Sequence, residues 1–179
     1  IVSKGQTVKA KIVAKDKVND IALLKVERTS VPLPIGTSKS VRLGDAVASI
    51  GFPSVSLLGS SPKYSNGTVS GLLGFQDDPT TFQVSLPIQP GNSGGALVDQ
   101  YGNVIGVITA RLSDEVSFAL TGSLPQNVNF AVKSTYVLGL LESFPQVLNS
   151  MPKAKKRKLN ENEIAERIQN SSALLLTYE

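Results

Sequence analysis

The sequence predicts an all-β fold, and three observations carry that prediction. Apolar residues come in short runs broken by clusters of Gly, Pro, Asn and Ser. The early runs alternate with period two, as in Gln6 to Val13, the spacing that puts successive side chains on opposite faces of a strand. Helical spacing is confined to the last third of the chain. The size fits a folded protein: 179 residues can bury a core, and 41 % apolar with 18 % charged residues is a globular balance. No apolar run approaches the roughly 20 residues of a membrane-spanning helix.

The elements follow in order. Gln6 to Val13 and Ile21 to Val26 form a hairpin across a polar turn at Lys15 to Asn19. Val31-Pro32-Leu33-Pro34 reads as an extended crossover, because a proline disfavours helix in the residue before it. Strands are expected within Leu43 to Pro53, Asn66 to Gly71, Phe82 to Leu86, Val104 to Ala110 and Val128 to Val132, with a Ser/Gly-rich loop over Leu112 to Gln126. Val137 to Leu148 has the Leu and Phe spacing of a helix. Asn160 is placed to cap a second helix through Ile168, with Glu163 three positions on, and Ser172 to Tyr178 reads as a strand.

Charge and composition exclude several classes of function. The net charge is +4, and Lys153 to Lys158 supplies most of it in one basic run, so the remainder is nearly neutral. That run reads as a solvated linker or as a polyanion patch. No aromatic side chains interleave it for base stacking, and no nucleic-acid partner is expected. There is no Cys and no His, which excludes disulfides and leaves a metal without its usual nitrogen and sulfur ligands; no metal or other cofactor is expected.

The most informative stretch is Gln89-Pro90-Gly91-Asn92-Ser93-Gly94-Gly95-Ala96-Leu97-Val98. It sets one hydroxyl in a cage of glycines directly before an apolar strand. A nucleophilic serine needs its Oγ exposed, with backbone N–H groups converging where a carbonyl oxygen becomes negative. This run, with Asp99-Gln100-Tyr101-Gly102-Asn103-Val104-Ile105-Gly106-Val107 after it, resembles the nucleophile segment of trypsin-like serine proteases of the HtrA/DegP branch. Asp20-Ile21-Ala22-Leu23-Leu24-Lys25-Val26 resembles the segment that opens on the catalytic Asp of the same family. Leu43 to Pro53 and Asn66 to Gly71 resemble two further strands of it.

The resemblance covers roughly Lys9 to Ser143 and implies a chymotrypsin-like double β-barrel. The first barrel is partly present as a remnant over 1–30. The second, with its closing helix, spans 31–150, and 151–179 forms a basic linker with a helix-strand tail. It implies Ser93 as nucleophile, Asp20 as the carboxylate that orients the base, and an oxyanion hole from Gly91, Asn92 and Ser93. The base itself is missing, since the chain has no His; the simplest expectation places it upstream in a longer protein, and this polypeptide alone is expected to be inactive. Lysine is a poor substitute, with a free pKa near 10.4. Ile1-Val2 resembles the new N-terminus of an activated digestive protease, but Asn92 offers no countercharge for it.

By the same resemblance, Pro87 and Ile88 form the base of the primary pocket. Val107, Ile108, Thr109, Asn129, Phe130 and Ala131 form its walls, although Val107 and Phe130 fit ordinary core equally well. An apolar lining implies cleavage after small or medium aliphatic residues. The family implies unfolded or peptide substrates in protein quality control, a periplasmic, secreted or organellar setting, and homo-oligomers built by N-terminal segments. Two alternatives stand beside the protease: a peptide-binding relative that lost its base, and a basic nucleic-acid-associated protein. The tail likewise has two readings, a cap that completes the fold or a segment added to a free sheet edge.

Overall fold

The computed structural model describes residues 2–3, 6–55, 59–109 and 128–176. Its centre is a closed barrel of six antiparallel strands: β5 (Ala46–Gly51), β6 (Lys63–Gly71), β7 (Thr81–Val84), β8 (Ala96–Asp99), β9 (Val104–Ile108) and β10 (Asn129–Lys133). Around the barrel they run β10-β7-β6-β5-β8-β9, and β9 closes onto β10. Closure leaves no free strand edge in this sheet. Before it come two small hairpins, β1 (Val2–Ser3) with β2 (Gln6–Thr7), and β3 (Ala10–Asp16) with β4 (Ile21–Val26). The mostly β class, with a closed barrel and a C-terminal helix, is as the sequence predicts. The single strand expected over Gln6 to Val13 is instead split between β2 and β3. The loop expected over 112–126 lies outside the described residues.

Period-two alternation fills the barrel. Val47, Val69, Phe82, Val84, Leu86 and Leu97 form one buried cluster with Ile88, Ile105, Ile108 and Ala131. The opposite face of β5 and β8 carries Ala48, Ile50 and Val98, and these pack against a helix rather than water. The crossover from the hairpin to the barrel is stitched near its middle, at Ile35 and Gly36. Ile35 pairs in parallel with Val104, and the fully buried Ser134 donates its hydroxyl to Gly36 O at 2.8 Å.

The closing helix differs from its expected form. The structure has α1 (Ser134–Glu142) and α2 (Pro145–Ser150), separated at Ser143 and Phe144. Pro145 explains the break: it excludes helical backbone from Phe144, which sits at φ −132°, ψ 66°, and Pro145 opens α2 in the position a proline tolerates.

The third helix, α3 (Glu161–Ser171), matches the expected capping box. Asn160 Oδ1 accepts from Glu163 N at 2.9 Å, and Glu163 Oε2 accepts from Asn160 N at 2.9 Å. Ile164 and Ile168 drive into the face formed by Ala48, Ile50 and Val98. The basic run is held along its backbone at Lys155 and through Arg157, whose guanidinium donates to Glu163 Oε1 at 2.7 Å. Asn103, itself fixed in the β8–β9 turn by Asp99, donates to Lys155 O at 3.0 Å and accepts from Lys155 N at 2.6 Å. The tail therefore completes the barrel's outer layer. Of the strand expected over Ser172 to Tyr178, residues 172–176 show only one β-bridge position, Leu174, and 177–178 lie outside the described residues.

The cap gives a pH test. The hydrogen bond from Arg157 first, then that from Asn160 N–H, holds the Glu163 carboxyl below its ordinary value of 4.5. A carboxyl depressed in the folded state stabilises above its unfolded pKa and loses that contribution as pH falls through the folded value. The stability advantage of the native chain over Glu163→Gln, measured by urea unfolding, is therefore expected to be full at pH 7 and to shrink steadily as pH drops below about 4.5.

Candidate active site

Ser93 lies in the turn between β7 and β8, and its conformation depends on glycine at two points. Gly91 (φ +101°) and Gly94 (φ +84°) occupy backbone that residues with a Cβ rarely adopt. A Cβ on Gly91 would also run into the carbonyl oxygen of Phe52, and one on Gly95 would stand 2.9 Å from both Asn92 O and Ile50 O. Main-chain hydrogen bonds pin the turn on both sides: Phe52 N to Gly91 O at 3.2 Å, Gly94 N to Ile108 O at 2.8 Å and Ile108 N to Gly95 O at 2.8 Å. The hydroxyl of Ser93 is thus carried on a backbone that the barrel strands hold in place, with the residue itself exposed.

The three residues expected to form the oxyanion hole divide. Asn92 spends its N–H on Gln89 O at 3.0 Å. Among the described residues, the N–H groups of Gly91 and Ser93 donate to no protein acceptor. Those two are the free donors of the turn, and Asn92 serves instead as its buried anchor. Its side chain, 7 % exposed, lies over Gly51, where a Cβ would collide with Asn92 Oδ1. Asn92 Oδ1 and Ser49 Oγ are both buried without a hydrogen-bond partner among the described residues.

Asp20 sits at the start of β4 with φ +52°, a left-handed position that Asp tolerates better than most residues. The turn before it is wound by Asp16. Its Oδ1 accepts from Val18 N at 3.0 Å and Asn19 N at 3.1 Å, and its Oδ2 from Asn19 Nδ2 at 2.6 Å. These bonds, the Asn19 side chain first, hold the Asp16 carboxyl below its ordinary value and keep it an acceptor. Lys15, Lys17 and Lys25 are exposed.

One cleft of about 560 Å³ contains both predicted catalytic residues. Asp20 and the start of β4 line it together with Gly91 to Ala96 and Val107. The structure therefore brings Ser93, Asp20, Gly91 and Val107 together. It takes several predicted pocket residues elsewhere. Ile88, Ile108 and Ala131 point into the barrel core, and Phe130 is buried. Asn129 is buried and donates to Leu86 O at 2.8 Å. Pro87 is exposed, and Thr109 is half-buried, its N–H bonded to Phe130 O. None of these seven lines the cleft of Ser93 among the described residues. Strand alternation explains Ile108, which follows the cleft residue Val107 on β9 and so faces the interior.

Sequence reasoning missed part of the wall. Phe52, Leu33, Leu140 of α1 and residues 171–175 after α3 also line the cleft. No local motif marks them; only the run Leu174-Leu175-Leu176 is unusual for a tail. Among the described residues no three or more His, Cys, Asp or Glu converge as a metal site would require, and no helix is long and apolar enough to cross a membrane.

Comparison with known proteins agrees with this geometry. The model of the trypsin-like peptidase domain family matches residues 1–107. The uncharacterized protein y4bJ of Sinorhizobium fredii is 41 % identical over 167 residues, covering 91 % of this chain and 25 % of the relative. The serine protease Do-like HtrA of Lactobacillus helveticus is 30 % identical over 152 residues, covering 79 % and 34 %. The periplasmic serine endoprotease DegP of Salmonella typhimurium is 31 % identical over 137 residues, covering 70 % and 28 %. The chain thus spans between a quarter and about a third of the length of these relatives.

The turn geometry predicts a specific defect. Gly91→Ala adds a methyl group facing Phe52 O in a backbone region that disfavours it, so it should destabilise the chain by about 1–3 kcal/mol. Denaturant unfolding of the variant measures this.

Proposed function

Because the chain belongs to the trypsin-like peptidase domain family, we propose that it supplies the nucleophile, oxyanion donors and orienting carboxylate of a serine endopeptidase. Ser93 Oγ attacks the scissile carbonyl as its proton passes to a base; the tetrahedral intermediate then breaks its C–N bond, the amine leaves with that proton, and the acyl-enzyme remains. Water then releases the acyl group by the same steps in reverse. The N–H groups of Gly91 and Ser93 receive the developing oxyanion, each donor of this kind supplying about 3 kcal/mol of transition-state stabilisation. Asp20 holds the base in the correct tautomer and balances its charge. This chain contains no histidine, so the reading draws the base from outside these residues and leaves the chain inactive by itself.

The observation that carries the reading is the shared cleft: Asp20 and Ser93 face one space, and the turn keeps two N–H donors unspent beside the hydroxyl. The apolar lining around Val107 favours small or medium aliphatic residues over charged ones at the cleaved bond. Methylene-sized differences in such a lining are worth only about 1–3 kcal/mol, so selectivity is graded. Unfolded proteins are the substrate class, in keeping with quality-control proteolysis. The second reading, a peptide-binding protein using the same cleft without chemistry, draws on the absence of histidine from these residues.

The test uses the native gene product that carries this chain, treated with a fluorophosphonate probe and mapped by mass spectrometry. Modification is expected at Ser93, absent in Ser93→Ala, with peptide hydrolysis slowed by about four orders of magnitude in Asp20→Asn. A folded gene product that cleaves no peptide and takes no probe supports the binding protein instead.

A further inference from the structure

We propose that the segment after α3, through Leu174 and Leu175, is a specificity-determining wall of the catalytic cleft that receives aliphatic side chains of an extended peptide. The proposal rests on the reading of Ser93 as nucleophile. Residues 171–175 line the same cleft as Asp20 and Ser93. They reach it from α3, whose Ile168 is fully buried against the barrel. Ser171 donates its hydroxyl to Val31 O at 2.7 Å, and Ser172 donates to Ile168 O at 2.8 Å. The segment leaving the helix is thus tied to the crossover and to the helix end. Leu174 takes part in a β-bridge, so the backbone there is extended.

The exposure of the leucines separates a wall from a plug. A segment that occupied the cleft would bury its apolar side chains in it. Leu175 is instead 52 % exposed, and about 560 Å³ remains open beside it. Leu174 and Leu175, with Leu23, Leu24, Leu33 and Leu140, line that space with apolar surface. The occupant that fits is the peptide whose carbonyl is delivered to Ser93. The hydroxyl and free N–H donors at one side of the cleft fix its backbone, and the leucine wall accepts its aliphatic side chains. Because the wall hangs on the Asn103–Lys155 clasp and on Ile168, the tail links the barrel's outer layer to substrate choice.

The test is fluorescence anisotropy with the full 179-residue chain carrying Ser93→Ala and a fluorescein-labelled peptide of alternating Val and Ala. Adding Leu175→Asp should weaken binding about tenfold or more, the scale of losing one leucine contact, and Leu175→Ala should fall between. A peptide with Glu in place of Val should bind the parent chain more weakly than the aliphatic peptide, and Leu175→Ala should shrink that difference. Leu175 is exposed, so unchanged urea unfolding confirms that the fold is kept. Equal binding by Leu175→Asp overturns the proposal, and so does tighter binding, which would make the segment a plug. Absence of binding by the parent chain also overturns it, whereas probe modification of Ser93 in the gene product judges the nucleophile reading separately.

Discussion

The main-chain bonds that trap Gly91 to Gly95 between the end of β5 and the start of the β9 exit are the constraint on which the site depends. Phe52 N–H takes Gly91 O, Gly94 N–H takes Ile108 O, and Ile108 N–H takes Gly95 O. Ile108 lies in β9 and Phe52 directly follows β5, so the turn is tied to the closed barrel. Its approach to Phe52 and Ile50 is close enough that only glycine fits at 91 and 95. The consequence is chemical: two N–H groups are held at the cleft beside one hydroxyl, and among the described residues those N–H groups have no protein acceptor. Preorganised donors of this kind act without reorganising at the moment of reaction.

The barrel is in turn dressed by the tail. Asn103 bonds the backbone of Lys155 in both directions, and Leu159 N–H reaches Gln100 O at 3.0 Å, so the basic run is laid along the β8–β9 turn. Helix α3 then covers Ala48, Ile50 and Val98, which would otherwise face water. Ile50 and Val98 belong to the strands that carry the nucleophile turn at their ends. Packing behind the site and the leucines in front of it are therefore parts of one continuous segment, 153–175.

Local chemistry made much of this legible in the sequence. The nucleophile turn is written in glycines whose need is steric and short-range, and the α3 start in a capping box contained within four residues. Pro145 also carried enough information to break the closing helix at Phe144, but the regular spacing of Leu and Phe around it read as continuous. The pocket residues were harder. Ile88, Ile108 and Ala131 are apolar in either role, and the curvature of the barrel decides whether a side chain faces core or cleft. The wall at Leu174 and Leu175 had no sequence signal for its role, because its position is set by contacts with Val31 and the barrel far away in the chain.

The most direct measurement of the central claim is a crystal structure of the native gene product treated with a peptide boronic acid of aliphatic sequence. The account predicts a bond from Ser93 Oγ to boron and one boronate oxygen about 2.7–3.1 Å from the N atoms of both Gly91 and Ser93. The peptide should run through the cleft shared with Asp20. Electron density for the boronate at another residue, or an oxygen turned away from both N–H groups, would contradict it.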